Sequence, residues 1–373
     1  MKHTIEFPFY IRLTFTLLSL ISLVVILFFG QDIIVPLVFS LFFAILLTPV
    51  VIFLKHKLRF PNILAIIMAL SLSIIIIVGI LLFISWQVTD IADDWNTIKT
   101  NVYIYLESIQ DFMSRNFHLS KNEQAKFLNN AKHDSTEQGK TIIANTLLSL
   151  SDVLVNLIVV PIYTFLILLY KNHFLKFLTK LYDEKYYPKL QDILSQIKVS
   201  VQSYILGLIF EMVAVSILTS IGFWILGIKY ALVLGIITGI LNLVPYIGIL
   251  FAGLLSIIAT LTGTAEISTI IGVIVVNIVV QLIDNNILVP LIISSKVEIN
   301  ALVSIVGIII GGAICGISGM FLAIPIIAIL KVIFDRIDPF EPWGYLMGDN
   351  MPKTYTWNHI KLPNFDSDDE IEK

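Results

Sequence analysis

Apolar runs long enough to cross a bilayer are the strongest constraint on this chain. Ile11 to Phe29 carries a single charge, Arg12, and Ile33 to Leu54 carries none. Asn62 to about Trp86, Leu147 to Tyr170, Val201 to Leu226 and Ile267 to Ile293 repeat the pattern. About 20 apolar residues in a helix cover the hydrocarbon core, and no water there can satisfy a bare backbone group. With 57% hydrophobic and 14% charged residues in 373, a water-soluble fold could not hide the apolar surface. The sequence therefore specifies an all-α, polytopic membrane protein of about six to eight transmembrane helices.

Net charge is −3 with no basic domain, which argues against nucleic acid as a partner and leaves the lipid bilayer as the obligatory one. Cys315 is the only cysteine, so neither an internal disulfide nor a multi-cysteine metal site is available. The first apolar run lacks a small-residue cleavage pattern and reads as a retained span. Lys2 and Arg12 at the start, and Lys55, Lys57 and Arg59 after the second span, place the N-terminus and the 55–60 loop in the cytoplasm by the positive-inside rule.

The chain divides into the first three spans (1–87), an extracytoplasmic helical insertion (88–145), a fourth span with a lysine-rich amphipathic linker (146–200), a core (201–337) and a cytoplasmic tail (338–373). In the insertion Trp95, Ile98, Val102, Leu106, Ile109 and Met113 recur at helical spacing, and Ser120 with Glu123 resembles a capping box. The linker carries Lys171, Lys176, Lys180, Lys185, Lys189 and Lys198 and reads as lying along the cytoplasmic membrane face. The tail reads as a short packed segment and then a disordered acidic end.

Two core segments are long and broken. Tyr230 to Leu261 would measure about 48 Å as one helix, too long for an upright span, and holds Asn242, Pro245, Tyr246 and Gly248 in its middle. Ala301 to Lys331 is interrupted at Gly311, Gly312, Gly316 and Gly319, and again at Pro325. If each break is a re-entrant hairpin, units 201–262 and 267–331 are related by inverted topology, as in carriers with a midplane site. If each segment spans instead, the total is eight, and Lys296 changes sides.

Polar groups inside apolar runs are few: Glu211, Asn242, Asn277, Gln281, Asp284 and Asn285. Asn277, Gln281 and Asp284 fall on one helical face, followed by Pro290, which removes a backbone donor. A carboxylate at membrane depth is costly and faces a bundle interior or watery cavity. The amides also fit an interhelical hydrogen-bond seam, and Asn242 fits the cap of a half-helix. Two such carboxyls suit a carrier coupled to a proton or monovalent cation, although Glu211 also fits a protonated side chain bonded to a neighbouring helix. The alternative readings of the chain are a passive channel or oligomeric pore and a non-transporting membrane scaffold. No H-E-x-x-H, G-x-S-x-G or phosphate-loop pattern occurs, and all six histidines lie outside the apolar spans, so no enzyme, cofactor or metal site is expected.

Three pieces carry a family resemblance. They are Leu241-Asn-Leu-Val-Pro245-Tyr-Ile-Gly248, Gln281-Leu-Ile-Asp284-Asn-Asn-Ile-Leu-Val-Pro290, and Gly311-Gly312 through Gly316-Ile-Ser-Gly319-Met320 to Ala323-Ile-Pro325. With Leu47-Thr-Pro49 and Pro161-Ile-Tyr163-Thr-Phe165, they make residues 10–335 resemble the AI-2E transporter family. The resemblance implies a multi-pass bacterial inner-membrane permease. It further implies export of autoinducer-2 or sodium/proton antiport, homo-oligomers of which the pentamer is one named form, and a transport core at the Pro245–Gly248 break and the Gln281/Asp284/Asn285 face. This chain departs from the family pattern at Leu206 and Leu208, at Ser294 and at Asn300-Ala301, which separates the family's name from this member's substrate.

Overall fold

The computed structural model describes residues 8–94, 96–104, 158–244, 247–263, 267–292 and 299–349. These form α1 (Phe9–Phe29), α2 (Gln31–His56), α3 (Asn62–Asp93), α4 (96–104), α5 (Ile158–Lys180), α6 (Tyr187–Ile225), α7 (Ala231–Asn242), α8 (Ile247–Thr260), α9 (Ile267–Ile283), α10 (Val289–Ile292), α11 (Ala301–Phe334) and α12 (Glu341–Met347). Single 3₁₀ turns precede α6 and α12, and one π-helical turn, Asp284–Leu288, joins α9 to α10. No strand occurs among the described residues. The rest of the insertion, its capping box, Lys296 and the acidic end lie outside the described residues.

Among the described residues seven helices are long and apolar enough to cross a membrane. One of them, α11, does not cross, because it folds back at Cys315 (φ −128°, ψ 19°) and Gly316 (φ 60°, ψ −146°). Its two arms lie against each other: a Cβ on Gly311 would meet the Gly319 carbonyl, and one on Gly307 would meet the Ile327 side chain. Both ends of α11 return to α12, where Asn300 N donates to the Met347 carbonyl (3.0 Å) and the Lys331 side chain approaches Gly348. The Gly316 conformation is accessible to glycine almost alone. We expect Gly316→Ala to cost about 1–3 kcal/mol and to lower the thermal midpoint in detergent. Gly312→Ala, whose new methyl meets the Met320 side chain first, should cost less.

The other broken segment is also a hairpin. Its arms, α7 and α8, have 12 and 14 residues, about 18 and 21 Å, each short of the roughly 30 Å hydrocarbon core. Both outer ends meet the chain that follows α3. Lys229 Nζ and Tyr230 Oη lie 2.6 and 2.8 Å from Asp94 Oδ2, and Asn101 Nδ2 donates to the carbonyls of Leu261 (2.7 Å) and Gly263 (3.2 Å). Ile98 packs on Leu261 beneath them. The α11 hairpin opens on the opposite side. There Arg336 pairs with Asp192 (2.6 Å) and Lys189 with Asp338 (3.0 Å), near the start of α6. The two span-plus-hairpin units thus have inverted topology, and among the described residues six helices remain as crossing helices.

The start of α6 explains one difference from the sequence reading. Residues 171–180 and 187–200 continue α5 and α6, so the lysine-rich stretch is two helix extensions joined by a short turn. No proline or glycine interrupts either part beyond the first turn of α6, and α6 reaches 39 residues, about 58 Å. It ends in a Schellman arrangement, with Gly227 at φ 72° and Ile228 N bonded to the Phe223 carbonyl (3.0 Å).

Packing follows membrane rules, with small residues at contacts. Gly235 and Gly239 place α7 directly on the α6 backbone, at the carbonyls of Ser216 and Met212. Gly222 and Gly272 admit Val276 and Leu226 between α6 and α9. Phe223, Val233, Leu234, Ala259 and Val273 fill the space between α6, the first hairpin and α9. Elsewhere Ala44, Leu47, Ala65, Ile66, Ala69 and Leu168 join α2, α3 and α5. Ser40 Oγ donates to the Val160 carbonyl (3.0 Å) at the buried α2–α5 crossing.

Lys229 and Tyr230 bond Asp94 and hold its carboxyl below the ordinary carboxylate range. A carboxyl lowered on folding stabilises above its unfolded pKa, and that stability is lost as pH falls through the folded value. Asp94→Asn should therefore flatten the acid limb of a thermal-midpoint against pH curve.

Candidate functional site

Three polar side chains from three elements meet inside the core. Glu211 lies mid-way along the crossing part of α6, Asn242 ends α7 at the tip of the first hairpin, and Asp284 opens the π turn after α9. Their exposures are 6%, 8% and 3%. Asn242 Nδ2 donates to Glu211 Oε1 and to Asp284 Oδ2, each at 3.0 Å. Two oxygens that share one nitrogen at this distance are no more than about 6 Å apart. The remaining oxygens, Glu211 Oε2 and Asp284 Oδ1, are buried with no hydrogen-bond partner. Buried polar atoms are normally satisfied, so these two are available acceptors.

Local chemistry explains the placement. The α7 helix ends at Asn242 because the next amides tighten, with Leu243 N and Val244 N reaching back three residues to Ile240 and Leu241. Gly248 then lets α8 pass so close that a Cβ would overlap the Leu241 carbonyl. The expected capping role of Asn242 is not what the side chain does, since its amide leaves the helix end and bridges the carboxyls. After α9, Val289 N bonds the Asp284 carbonyl across five residues. This wide turn precedes Pro290, which has no amide to donate, and π turns of this kind often mark functional positions.

The other polar residues expected on the Asp284 face divide. Gln281 Nε2 donates to Asn285 Oδ1 (2.8 Å), an exposed pair beside the site. Asn277 Nδ2 returns to the Val273 carbonyl of its own helix (3.0 Å). Asn286, likewise exposed, bonds the Leu282 carbonyl. Pro245 and Tyr246 fall outside the described residues. Gly311 and Gly319 hold the arms of the second hairpin together around the Gly316 turn, and that hairpin packs beside α6 and α2 through Leu322, Val201 and Phe42.

Some contributors were not singled out from the sequence. Gly235-x-x-x-Gly239 docks the hairpin that carries Asn242, and its spacing was readable. Thr219, fully buried two turns beyond Glu211 on α6, has no partner for its hydroxyl. Tyr204, two turns before Glu211, is 3% exposed on the same face. Asn300 also serves the structure, since its side chain caps α11 through Val303 N (2.9 Å) and holds the Leu346 carbonyl (2.7 Å). Among the described residues no cluster of three His, Cys, Asp or Glu side chains could hold a metal.

Known proteins and a family model match this chain. The candidate transport protein YrrI of Bacillus subtilis (strain 168) is 26% identical over 134 residues, 36% of this chain and 37% of that protein. The candidate transport protein YueF of the same organism is 26% identical over 231 residues, 61% of this chain and 60% of that one. The chain thus spans less than two thirds of the length of these curated relatives. The model of the AI-2E family transporter matches residues 17–338, which take in most of α1, the other five crossing helices, both hairpins and the three site residues. This multi-pass membrane protein belongs to the AI-2E transporter family.

Proposed function

We propose that the chain is a secondary transporter in which Glu211, Asn242 and Asp284 form the coupling site, taking up a proton or a monovalent cation as a small solute or the ion itself is moved. The observation that carries this reading is one amide between two buried carboxyls, each with an unpartnered oxygen. Two like charges no more than about 6 Å apart repel by at least about 3 kcal/mol at an effective dielectric constant near 20. A single proton or cation between them removes that repulsion. The empty site and the loaded site therefore favour different separations of α6, the hairpin tip and the Asp284 turn. Asn242 sits on a hairpin that enters from one side only, so its movement would open the site to one face at a time.

Basic residues support a bacterial inner-membrane orientation with the 55–60 loop and the α11–α12 end in the cytoplasm. Lys55, Lys57, Arg59, Lys189, Lys331 and Arg336 gather at one side of the helices. Assembly of several copies belongs to the same proposal and is measured by mass photometry.

The test is a proton-flux assay in proteoliposomes, with an internal pH dye followed as sodium, lithium and then potassium is added outside. A saturable, cation-dependent pH change supports the coupling site. No change with any of the three rejects monovalent-cation exchange and directs the search to export of small polar metabolites.

A further inference from the structure

A recess at the basic side of the helices lies apart from the carboxyl site, between the ends of α2, α3 and α5. Its rim carries Lys55, His56 and Lys171, with the amides of Asn62 and Asn172. Its floor is apolar and buried, formed by Val51, Ile66 and Leu168, with the Thr48 hydroxyl turned back to the Ala44 carbonyl (2.7 Å). Ile52, 47% exposed, carries the floor outward onto the apolar face of α2.

No Asp or Glu lines this recess. Among the described residues, neither Lys55, His56 nor Lys171 forms an ion pair. Lys198 of α6 adds a further positive charge close enough to Lys171 to repel it. Cations gathered at a helix end without a carboxylate leave a site for an anion, and the two amides add hydrogen-bond donors. An apolar floor open to the lipid-facing side suits an anion with hydrocarbon attached, which a free inorganic ion lacks. Basic recesses between transmembrane helices at this depth are the form that lipid headgroup sites take.

We infer that the recess between α2, α3 and α5 binds the phosphodiester headgroup of an anionic phospholipid, with Lys55 and Lys171 clamping the phosphate and the first acyl carbons resting on Val51, Ile52 and Leu168. Such a lipid would fasten the α2–α3 turn to α5, outside the inverted-repeat core.

The test is native mass spectrometry of the full chain released from detergent, titrated with phosphatidylglycerol and separately with phosphatidylcholine. Each basic residue near a headgroup contributes about a fivefold factor in affinity. The Lys55→Gln/Lys171→Gln variant should bind phosphatidylglycerol about 30-fold more weakly. The Lys180→Gln/Lys185→Gln variant, which removes two lysines outside the recess, should bind as the wild type does. Thermal midpoints recorded beside the titrations establish that both variants are folded. Equal losses in the two double variants would overturn the proposal in favour of diffuse attraction to the basic face. Equal affinity for the two lipids would overturn it as well. Complete displacement of phosphatidylglycerol by millimolar inorganic phosphate would assign the recess to a free anion and overturn the lipid assignment.

Discussion

Proteoliposomes carrying Asp284→Asn should show no cation-dependent pH change under conditions where the wild type shows a clear one, with a folded yield close to wild type. The substitution preserves shape and leaves a carbonyl oxygen to accept from Asn242 Nδ2, so the bridge survives. What it removes is the second negative charge. The pair then no longer gains from binding a proton or cation, and flux loses its coupling. Glu211→Gln should act in the same way, because Glu211 Oε1 is the other acceptor of that amide. Full cation-driven flux in both variants would remove the carboxyl pair from the mechanism.

The amide itself gives a contrasting result. Asn242→Leu takes away the donor that both buried carboxyls share, leaving acceptors unsatisfied at a cost of about 1–3 kcal/mol for each lost bond. This variant should lose both flux and thermal stability, whereas the Asp284→Asn protein loses flux alone. The separation of the two readouts distinguishes a coupling charge from a structural bond.

Gly239→Ala should have a large effect on folding for a single added methyl. The new Cβ would run into the Met212 carbonyl and the Ser216 hydroxyl on α6. Backbone cannot turn aside as a side chain can, so the hairpin must shift as a body. Overpacking of this kind costs about 1–3 kcal/mol or more. Because Asn242 lies one turn further along α7, transport should fall with stability. Gly253→Ala on α8 is the control: its Cβ would meet nothing within 4 Å, and replacing a mid-helix glycine should stabilise by about 0.5–1 kcal/mol. Fluorescence-detected size exclusion after a heating series ranks the two. Equal midpoints would refute close α6–α7 contact.

The sequence by itself determined the class of fold, because apolar runs of membrane length leave the backbone no choice but helices whose hydrogen bonds close internally. It also located the breaks at Asn242–Gly248 and Gly311–Gly319, where glycine and proline interrupt otherwise unbroken apolar stretches. The polar residues were legible one by one, since a carboxyl at membrane depth stands out against leucine and isoleucine. Whether a broken segment crosses or returns was not legible, for both paths satisfy the same hydropathy. The tertiary structure decided it: the ends of α7 and α8 both meet the residues after α3, and both ends of α11 meet α12. It also decided which polar groups meet. Asn277, Gln281 and Asp284 share a helical face, yet Asn277 bonds its own backbone, Gln281 pairs with Asn285, and Asp284 reaches Glu211 through the shared amide of Asn242. Periodicity fixes the direction in which a side chain leaves its helix. The partner at the other end depends on how closely two helices approach, and here Gly235 and Gly239 set that distance by having no side chain.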